Sequence, residues 1–117
     1  MISLWFSTVS VRNGHLDQAE STFKLSGESV ARRYGVDSPE YATALYDLGE
    51  CCAKRKHFLD AELHMKVALR IRERVYGPLH TLTANICNGL ALVYIDQGRR
   101  DDALELQRRA REAFDQV

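Results

Sequence analysis

Three cysteines carry the most distinctive chemistry available to this sequence. Cys51 and Cys52 are adjacent, and Cys87 stands alone further along the chain. Adjacent side chains on one helix point about 100° apart, so this pair lacks the C-x-x-C spacing that grips a metal ion. We predict that Cys52 and Cys87 are buried apolar residues, and that no two cysteines form a disulfide.

Histidines and catalytic motifs offer no alternative site. His15 and His57 fall at expected turns, His80 falls at an expected helix cap, and His64 stands apart from them. The sequence contains no H-E-x-x-H, no G-x-S-x-G and no glycine-rich phosphate loop. We therefore predict a protein that is not an enzyme and has no catalytic residues, no metal site and no cofactor.

Composition narrows the class of protein and of partner. The 117 residues suit a single domain, and 16 basic residues balance 16 acidic ones. Zero net charge disfavours binding to nucleic acid or to an anionic membrane surface. No segment approaches the roughly 18–20 apolar residues of a membrane span. The apolar start MISLWFSTVSV has neither a basic region nor a cleavage motif, so we expect no signal peptide and a cytoplasmic location.

An internal repeat organises the chain. When the sequence is shifted by 42 residues, small and structural residues recur at matching positions. The matches are Ala19 with Ala61 and Ala103, Ser26 with Ala68 and Ala110, Tyr34-Gly35 with Tyr76-Gly77, Ala42 with Ala84, and Leu48 with Leu90. The repeat predicts three units within one domain spanning 1–117, at about 1–35, 36–77 and 78–117, of which the first is truncated.

Each unit reads as a pair of antiparallel helices. Ser38 and Pro39 are typical of a helix start, whereas Gly77 and Gly98 are typical of helix ends. We predict an all-α fold of six helices in about three antiparallel pairs, with no strands. The leading helix of the first unit ends before Asn13-Gly14.

Small residues are expected where the two helices of a pair cross. Ala61 and Ala103 lie on the second helix of their units, and Gly49 and Ala91 lie at equivalent offsets on the first. Small side chains at these positions allow the helix axes to approach closely, and larger ones would overpack the crossing.

These motifs resemble the tetratricopeptide repeat, and its longer kinesin-light-chain type in particular. The third unit carries the pattern as Gly77-Pro78-Leu79-His80, Ala84, Leu90-Ala91-Leu92-Val93-Tyr94, Gly98 and Asp102-Ala103. The sequence departs from the family pattern at Thr81 in place of Pro, Cys52 in place of Tyr, and Lys56 in place of Gly. The resemblance implies a right-handed α-α superhelix whose concave face, lined by the first helix of each pair, binds a peptide or partner helix.

The resemblance also nominates groove residues. They are Leu4, Thr8 and Arg12 in the first unit, Tyr46, Asp47, Glu50 and Lys54 in the second, and Asn85, Asn88, Leu92 and Asp96 in the third. The alternative is that these residues form an ordinary solvated face. Arg12, Lys54, Asn85 and Asn88 alone are a thin set for clamping a C-terminal carboxylate, so we do not favour that kind of site.

Charge differs between the two faces of the predicted stack. Residues 36–53 contain acidic side chains and no Lys or Arg, whereas basic side chains dominate residues 54–74. This pattern predicts an acidic groove, which favours a partner with basic and apolar side chains. It also predicts a basic outer face laced with salt bridges such as Glu62–Lys66 and a pair between Glu73 and Arg70.

The leading hypothesis is a non-enzymatic module that binds a partner protein or peptide in the groove. A second hypothesis is a structural or oligomerisation fragment that self-associates through exposed terminal helices. The final helix supports it with a set of apolar residues and no evident polar cap: Leu104, Leu106, Ala110, Ala113 and Phe114. A third hypothesis is that the chain is the sensor arm of a multidomain regulatory protein. No residue of this sequence tests that hypothesis.

Overall fold

The computed structural model describes residues 15–115, with side chains from residue 18 onward, and within this range every regular element is an α-helix. The helices are α1 (His15–Tyr34), α2 (Pro39–Lys54), α3 (Phe58–Tyr76), α4 (Thr81–Asp96) and α5 (Arg100–Asp115). The all-α prediction is confirmed for these residues. Six helices were predicted and five lie in the described range; the sixth, the leading helix of the first unit, falls outside it.

The first helices of the second and third units begin at capping residues that the sequence indicated. The Ser38 hydroxyl accepts a hydrogen bond from the backbone N–H of Tyr41 at 3.1 Å, and Pro39 occupies the first turn of α2. His80 takes the equivalent position before α4, where its Nδ1 accepts from the N–H of Leu82 at 3.0 Å. The predicted cap at His80 is therefore confirmed.

The turns that follow α2 and α4 have the same hydrogen-bond pattern. After α2, the N–H of Lys56 bonds the carbonyl of Ala53 at 2.9 Å and the N–H of His57 bonds that of Cys52 at 2.8 Å. Gly98 and Arg99 repeat both bonds after α4 at the same distances. This is the Schellman arrangement, in which the residue just past the helix adopts a positive φ. Lys56 has a φ of 64°, and Gly98 at the equivalent position of the next unit has a φ of 78°. Lys56 therefore adopts a left-handed conformation that glycine favours.

Consecutive helices pack on each other, and α2 also contacts α4. At the crossing of α2 and α3, a Cβ on Gly49 would lie 3.3 Å from the carbonyl oxygen of Ala61 and 2.8 Å from Cγ of Met65. The close approach predicted from the repeat is therefore confirmed for the second unit, and the equivalent Ala103 of the third unit is buried like Ala61.

One small-residue position departs from the repeat. Ala68 and Ala110 are buried, whereas Ser26 at the equivalent place in α1 is exposed. Its neighbour Gly27 is buried instead, where an added Cβ would lie 3.9 Å from Cβ of Ala44 in α2. The predicted leading helix of this unit, against which a small residue at position 26 is expected to pack, falls outside the described residues.

Candidate functional site

A cavity of about 210 Å³ opens between the first helices of the second and third units. One wall comes from α2, the other from α4, and Met65 of α3 forms the floor. We call this the α2–α4 groove and define it by its lining residues: Tyr46, Glu50, Ala53, Lys54, Met65, Gly89, Leu92, Val93 and Asp96.

The Tyr46 ring lies directly over Gly89, at the boundary between the two units. A Cβ built on Gly89 would lie 2.7 Å from Cζ and 2.5 Å from Cε1 of that ring. Both distances are shorter than any ordinary van der Waals contact between carbon atoms. Glycine inside a helix costs about 1 kcal/mol relative to alanine. Its presence here lets the Tyr46 ring approach the backbone of α4, and both residues line the groove.

The groove combines an apolar base with charged edges. Met65 and Val93 are buried beneath it, while Leu92 is 61% exposed and presents its side chain to the opening. Glu50 from α2 and Asp96 from α4 bring negative charge to the cavity, and Lys54 brings one positive charge. The lining thus carries two carboxylates against one ammonium group.

Arg72 lies differently from the outer-face position that the charge pattern predicted. It extends from α3 into the junction of the units, where its guanidinium donates to the Leu82 carbonyl at 2.7 Å and to the Thr43 hydroxyl at 3.0 Å. Its charge acts on Asp47 and Tyr46. The interpretation of residues 54–74 as a uniformly solvated basic face is therefore wrong at Arg72, because the long side chain crosses from one unit to the next.

Burial and neighbouring charges shift the pKa of two predicted groove residues. Burial raises the pKa of the Tyr46 hydroxyl, and the negative charge of Glu50 raises it further, against the opposing effect of Arg72. Burial also raises the pKa of Asp47, while Arg72 lowers it. Asp47 is thus half-buried beside a cation, and its charge is less available to a ligand than the charges of the groove lining.

The structure brings five of the predicted residues together in the groove: Tyr46, Glu50, Lys54, Leu92 and Asp96. Asp47 lies next to the groove, facing Arg72. Asn85 and Asn88 are exposed on α4 and do not line the cavity. Arg12, like Leu4 and Thr8, lies outside the described residues.

Four lining residues were absent from the sequence-based set: Ala53, Met65, Gly89 and Val93. For Gly89, the sequence does contain a signal from which a close contact could have been predicted. An isolated glycine inside a helix is unfavourable unless close packing requires it, so its position in α4 indicates that another group approaches the backbone there.

A second cluster of polar residues joins α3 to the following unit. Arg99 donates to both carboxylate oxygens of Glu62 at 3.1 and 3.2 Å, and Lys66 Nζ lies 3.1 Å from the same carboxylate, which confirms the predicted Glu62–Lys66 pair. The Tyr94 hydroxyl interacts with the same carboxylate, which raises the pKa of the hydroxyl and lowers the pKa of Glu62. Burial raises the pKa of Glu62, but these hydrogen bonds outweigh it and hold the pKa below the ordinary value.

The same connection recurs between α1 and α2 with a cysteine in place of the tyrosine. The Cys52 thiol donates to Glu20 at 2.9 Å, and Arg55 donates to the other oxygen of that carboxylate. Positions 20 and 52 correspond to 62 and 94 in the 42-residue shift. Burial, together with the Glu20 hydrogen bond, raises the pKa of Cys52 to about 12. This thiol is therefore not a nucleophile at neutral pH.

The remaining salt-bridge and cysteine predictions had mixed outcomes. Glu73 pairs with Arg109 of α5 at 2.9 Å rather than with Arg70, so this contact ties α3 to the next unit. The side chains of Cys51, Cys52 and Cys87 are all buried, as predicted for the latter two.

Two further observations concern the part of the chain from residue 15 to 115. None of its helices combines the length and apolar character needed to cross a membrane. Within the same range, no group of three or more His, Cys, Asp or Glu side chains is placed to hold a metal ion.

Comparison with known proteins agrees with this geometry. Two overlapping stretches, residues 4–74 and 64–116, match the tetratricopeptide repeat family and together span nearly the whole chain. The chain belongs to the tetratricopeptide repeat family. Its repeats are of the kinesin-light-chain-like type. Tetratricopeptide repeats generally serve as protein–protein interaction modules rather than as enzymes.

The chain is also similar to Protein KINESIN LIGHT CHAIN-RELATED 2 of Arabidopsis thaliana. The two are 33% identical over 88 residues, which is 75% of this chain and 12% of that protein. This tetratricopeptide chain therefore corresponds to a small part of its relative's length.

Proposed function

We propose that this chain is a non-enzymatic docking module whose α2–α4 groove binds an extended segment of a partner protein. The observation that carries the proposal is an apolar, charge-edged cavity between the first helices of two consecutive tetratricopeptide units. In this fold family these helices line the concave face of the superhelix.

The size of the groove favours a side chain of a peptide over a free small molecule. Sites for drug-sized ligands usually enclose about 300–1,000 Å³, whereas this cavity has about 210 Å³. A single apolar side chain of a partner fits such a volume, and the rest of the segment would run along the exposed surfaces of α2 and α4.

The exposed Leu92 gives the groove an apolar contact for that side chain. Its side chain lines the same cavity as Tyr46 and the buried Met65. The floor is part of the hydrophobic core, so it is held in place before a partner arrives. A preorganised surface reduces the entropy lost on binding.

The proposal is tested with a matched pair of leucine variants. Peptides selected on the chain from a random 12-residue display library serve as the probe. Leu92→Ala is expected to weaken their binding by about 1–2 kcal/mol, because a partly exposed leucine is covered on binding. Leu59→Ala is the control, since Leu59 is 75% exposed on α3 outside the groove. Equal effects of the two substitutions, or the selection of no peptide at all, would contradict groove docking.

A second candidate function, stacking through the terminal helix, is favoured by two exposed apolar residues. Leu104 is 61% and Phe114 is 40% exposed on α5. In the 42-residue shift they correspond to Glu62 and Arg72. Glu62 and Arg72 of α3 both hydrogen-bond residues of the following unit. The face of α5 that carries Leu104 and Phe114 is therefore equivalent to the face of α3 that the following unit covers.

Self-association is tested by light scattering of the chain after size exclusion. The double variant Leu104→Glu, Phe114→Arg restores the polar residues of the preceding unit. If stacking operates, the wild-type chain elutes as a dimer or higher species at tens of micromolar, and the variant elutes as a monomer. A monomeric wild type would remove this candidate.

A further inference from the structure

We infer that the α2–α4 groove selects a partner segment in which a Lys or Arg side chain adjoins an apolar one, and that Glu50 and Asp96 receive the cation. This inference rests on the proposed groove docking. The apolar side chain occupies the cavity beside Leu92, and the basic side chain lies between the two carboxylates.

The placement of the two carboxylates supports this inference. Glu50 comes from one wall of the groove and Asp96 from the other, and both line the same cavity. Neither has a salt-bridge partner within 4.0 Å among residues 18–115. A cation entering the groove can therefore approach both without breaking an ion pair in that part of the chain.

The ends of the two wall helices add negative potential at this place. Helix α2 ends at Lys54 and α4 ends at Asp96, and both of these residues line the groove. The carbonyl end of a helix carries a partial negative charge of about half an electron. Two such ends beside the same cavity favour a cationic group over an anionic one.

The negative charge that a ligand can reach in the groove comes from Glu50 and Asp96. Asp47, which the sequence placed in the same acidic set, is half-buried and balanced by Arg72. Lys54 lies in the groove and opposes a basic ligand. The lining retains one excess negative charge, because two carboxylates face one ammonium group.

The test uses three matched sets of fluorescein-labelled peptides whose leucines alternate with lysine, with serine or with glutamate. Affinities for the full chain are measured by fluorescence anisotropy at low salt. We expect the lysine peptides to bind most tightly and the glutamate peptides least. We also expect the lysine-peptide affinity to fall as salt is added, because exposed charges are screened.

Variants that remove single charges then test whether the preference for lysine peptides depends on Glu50 and Asp96. Glu50→Gln and Asp96→Asn should each weaken lysine-peptide binding by about two- to fivefold, the range expected for an exposed ion pair. Lys54→Gln should strengthen it, because a like charge is removed. Glu40→Gln is the control, since Glu40 is exposed in the first turn of α2, away from the cavity.

The outcomes separate this inference from the proposal on which it rests. If serine or glutamate peptides bind as tightly as lysine peptides and Leu92→Ala weakens them, the groove docks a partner but the cation selection is wrong. Cation selection is equally wrong if lysine peptides bind best but Glu50→Gln and Asp96→Asn leave their affinity unchanged. If no peptide set binds, groove docking itself fails and the inference fails with it.

Discussion

At the scale of single residues, the connections between units depend on one glutamate in each of the helices α1 and α3. Glu20 and Glu62 occupy equivalent positions and each accepts hydrogen bonds from the following unit. An arginine donates in each junction, Arg55 to Glu20 and Arg99 to Glu62, and the group beside it is the Cys52 thiol in one junction and the Tyr94 hydroxyl in the other. A thiol is a weaker donor than a phenol, so the junction at Glu62 is expected to be the stronger of the two.

Glu62 should therefore make stability depend on pH. Its folded-state pKa is below the ordinary 4.5, so the stability it contributes is fully present above that value and is lost as pH falls through the lowered pKa. Glu62→Gln is expected to cost about 1–2 kcal/mol at pH 7, because charged hydrogen bonds are replaced by neutral ones. Urea unfolding at pH 7 and at pH 3 measures the cost.

The cost of Glu62→Gln should shrink at pH 3, because the carboxyl of the unfolded wild-type chain is protonated below its ordinary pKa of 4.5 and the advantage of the charged folded form is then reduced. Glu112→Gln provides the comparison, since Glu112 is exposed and pairs only at the surface with Arg108. That variant should change stability by less than about 0.5 kcal/mol. A Glu62→Gln penalty that is the same at both pH values would show that the carboxylate charge contributes nothing to the junction.

At the scale of helices, the crossing of α2 and α3 depends on a small residue at position 61. Ala61→Leu should destabilise the chain by about 1–3 kcal/mol, because Ala61 is fully buried at the close crossing with Gly49 of α2 and a larger side chain would overpack it. Ser26→Leu is the control, as Ser26 belongs to the same series of small residues but is exposed. Equal unfolding midpoints for the two variants would mean that Ala61 tolerates a larger side chain.

The turn after α2 contains a residue that the local backbone does not favour. Lys56 has a positive φ of 64°, where the next unit has Gly98. A left-handed conformation costs a non-glycine residue about 1–2 kcal/mol, and glycine avoids this cost. Glycine has more conformational freedom in the unfolded chain, however, and loses about 0.5–1 kcal/mol when that freedom is restricted on folding.

Lys56→Gly should consequently stabilise the chain by about 0.5–1 kcal/mol, and Gly98→Lys should destabilise it. Thermal unfolding followed by circular dichroism compares the two variants with wild type. A loss of stability in Lys56→Gly would indicate that the lysine side chain makes a favourable contact that outweighs the strain.

Sequence reasoning succeeded for features whose signals are local. Ser38, Pro39, Gly77 and Gly98 marked helix boundaries, since caps and positive-φ turns depend on residues close in sequence. Side-chain directions across units were not accessible in this way. The path of Arg72 to Thr43 depends on how two helix pairs stack, and a charge pattern along the sequence contains no such information.

The contacts of the predicted groove were accessible in part. The family resemblance nominated Glu50 and Leu92 as groove residues, and the structure lines one cavity with both. The seating of Tyr46 on Gly89 was missed because it joins two units. The repeat could have revealed the Glu20–Cys52 contact, since the 42-residue shift aligns it with Glu62 and Tyr94.

At the scale of the whole molecule, the five packed helices of residues 15–115 hold α2 and α4 side by side with a shared opening. The core beneath the opening includes Met65 and Val93, so its shape is tied to the stability of the stack. The kinesin-light-chain-like relationship indicates a protein-interaction module. The local charge of the groove, rather than the family, is the basis for expecting a basic partner segment.

The central claim, that the α2–α4 groove is the docking surface, is tested most directly by nuclear magnetic resonance. The ¹⁵N-labelled chain is titrated with its tightest-binding selected peptide, and amide shift changes are mapped onto the helices. We expect the largest changes at Glu50, Gly89 and Leu92, with small changes at exposed outer-helix positions such as Leu59 and Arg70. Changes concentrated on the outer helices, with the groove amides unmoved, would contradict the claim.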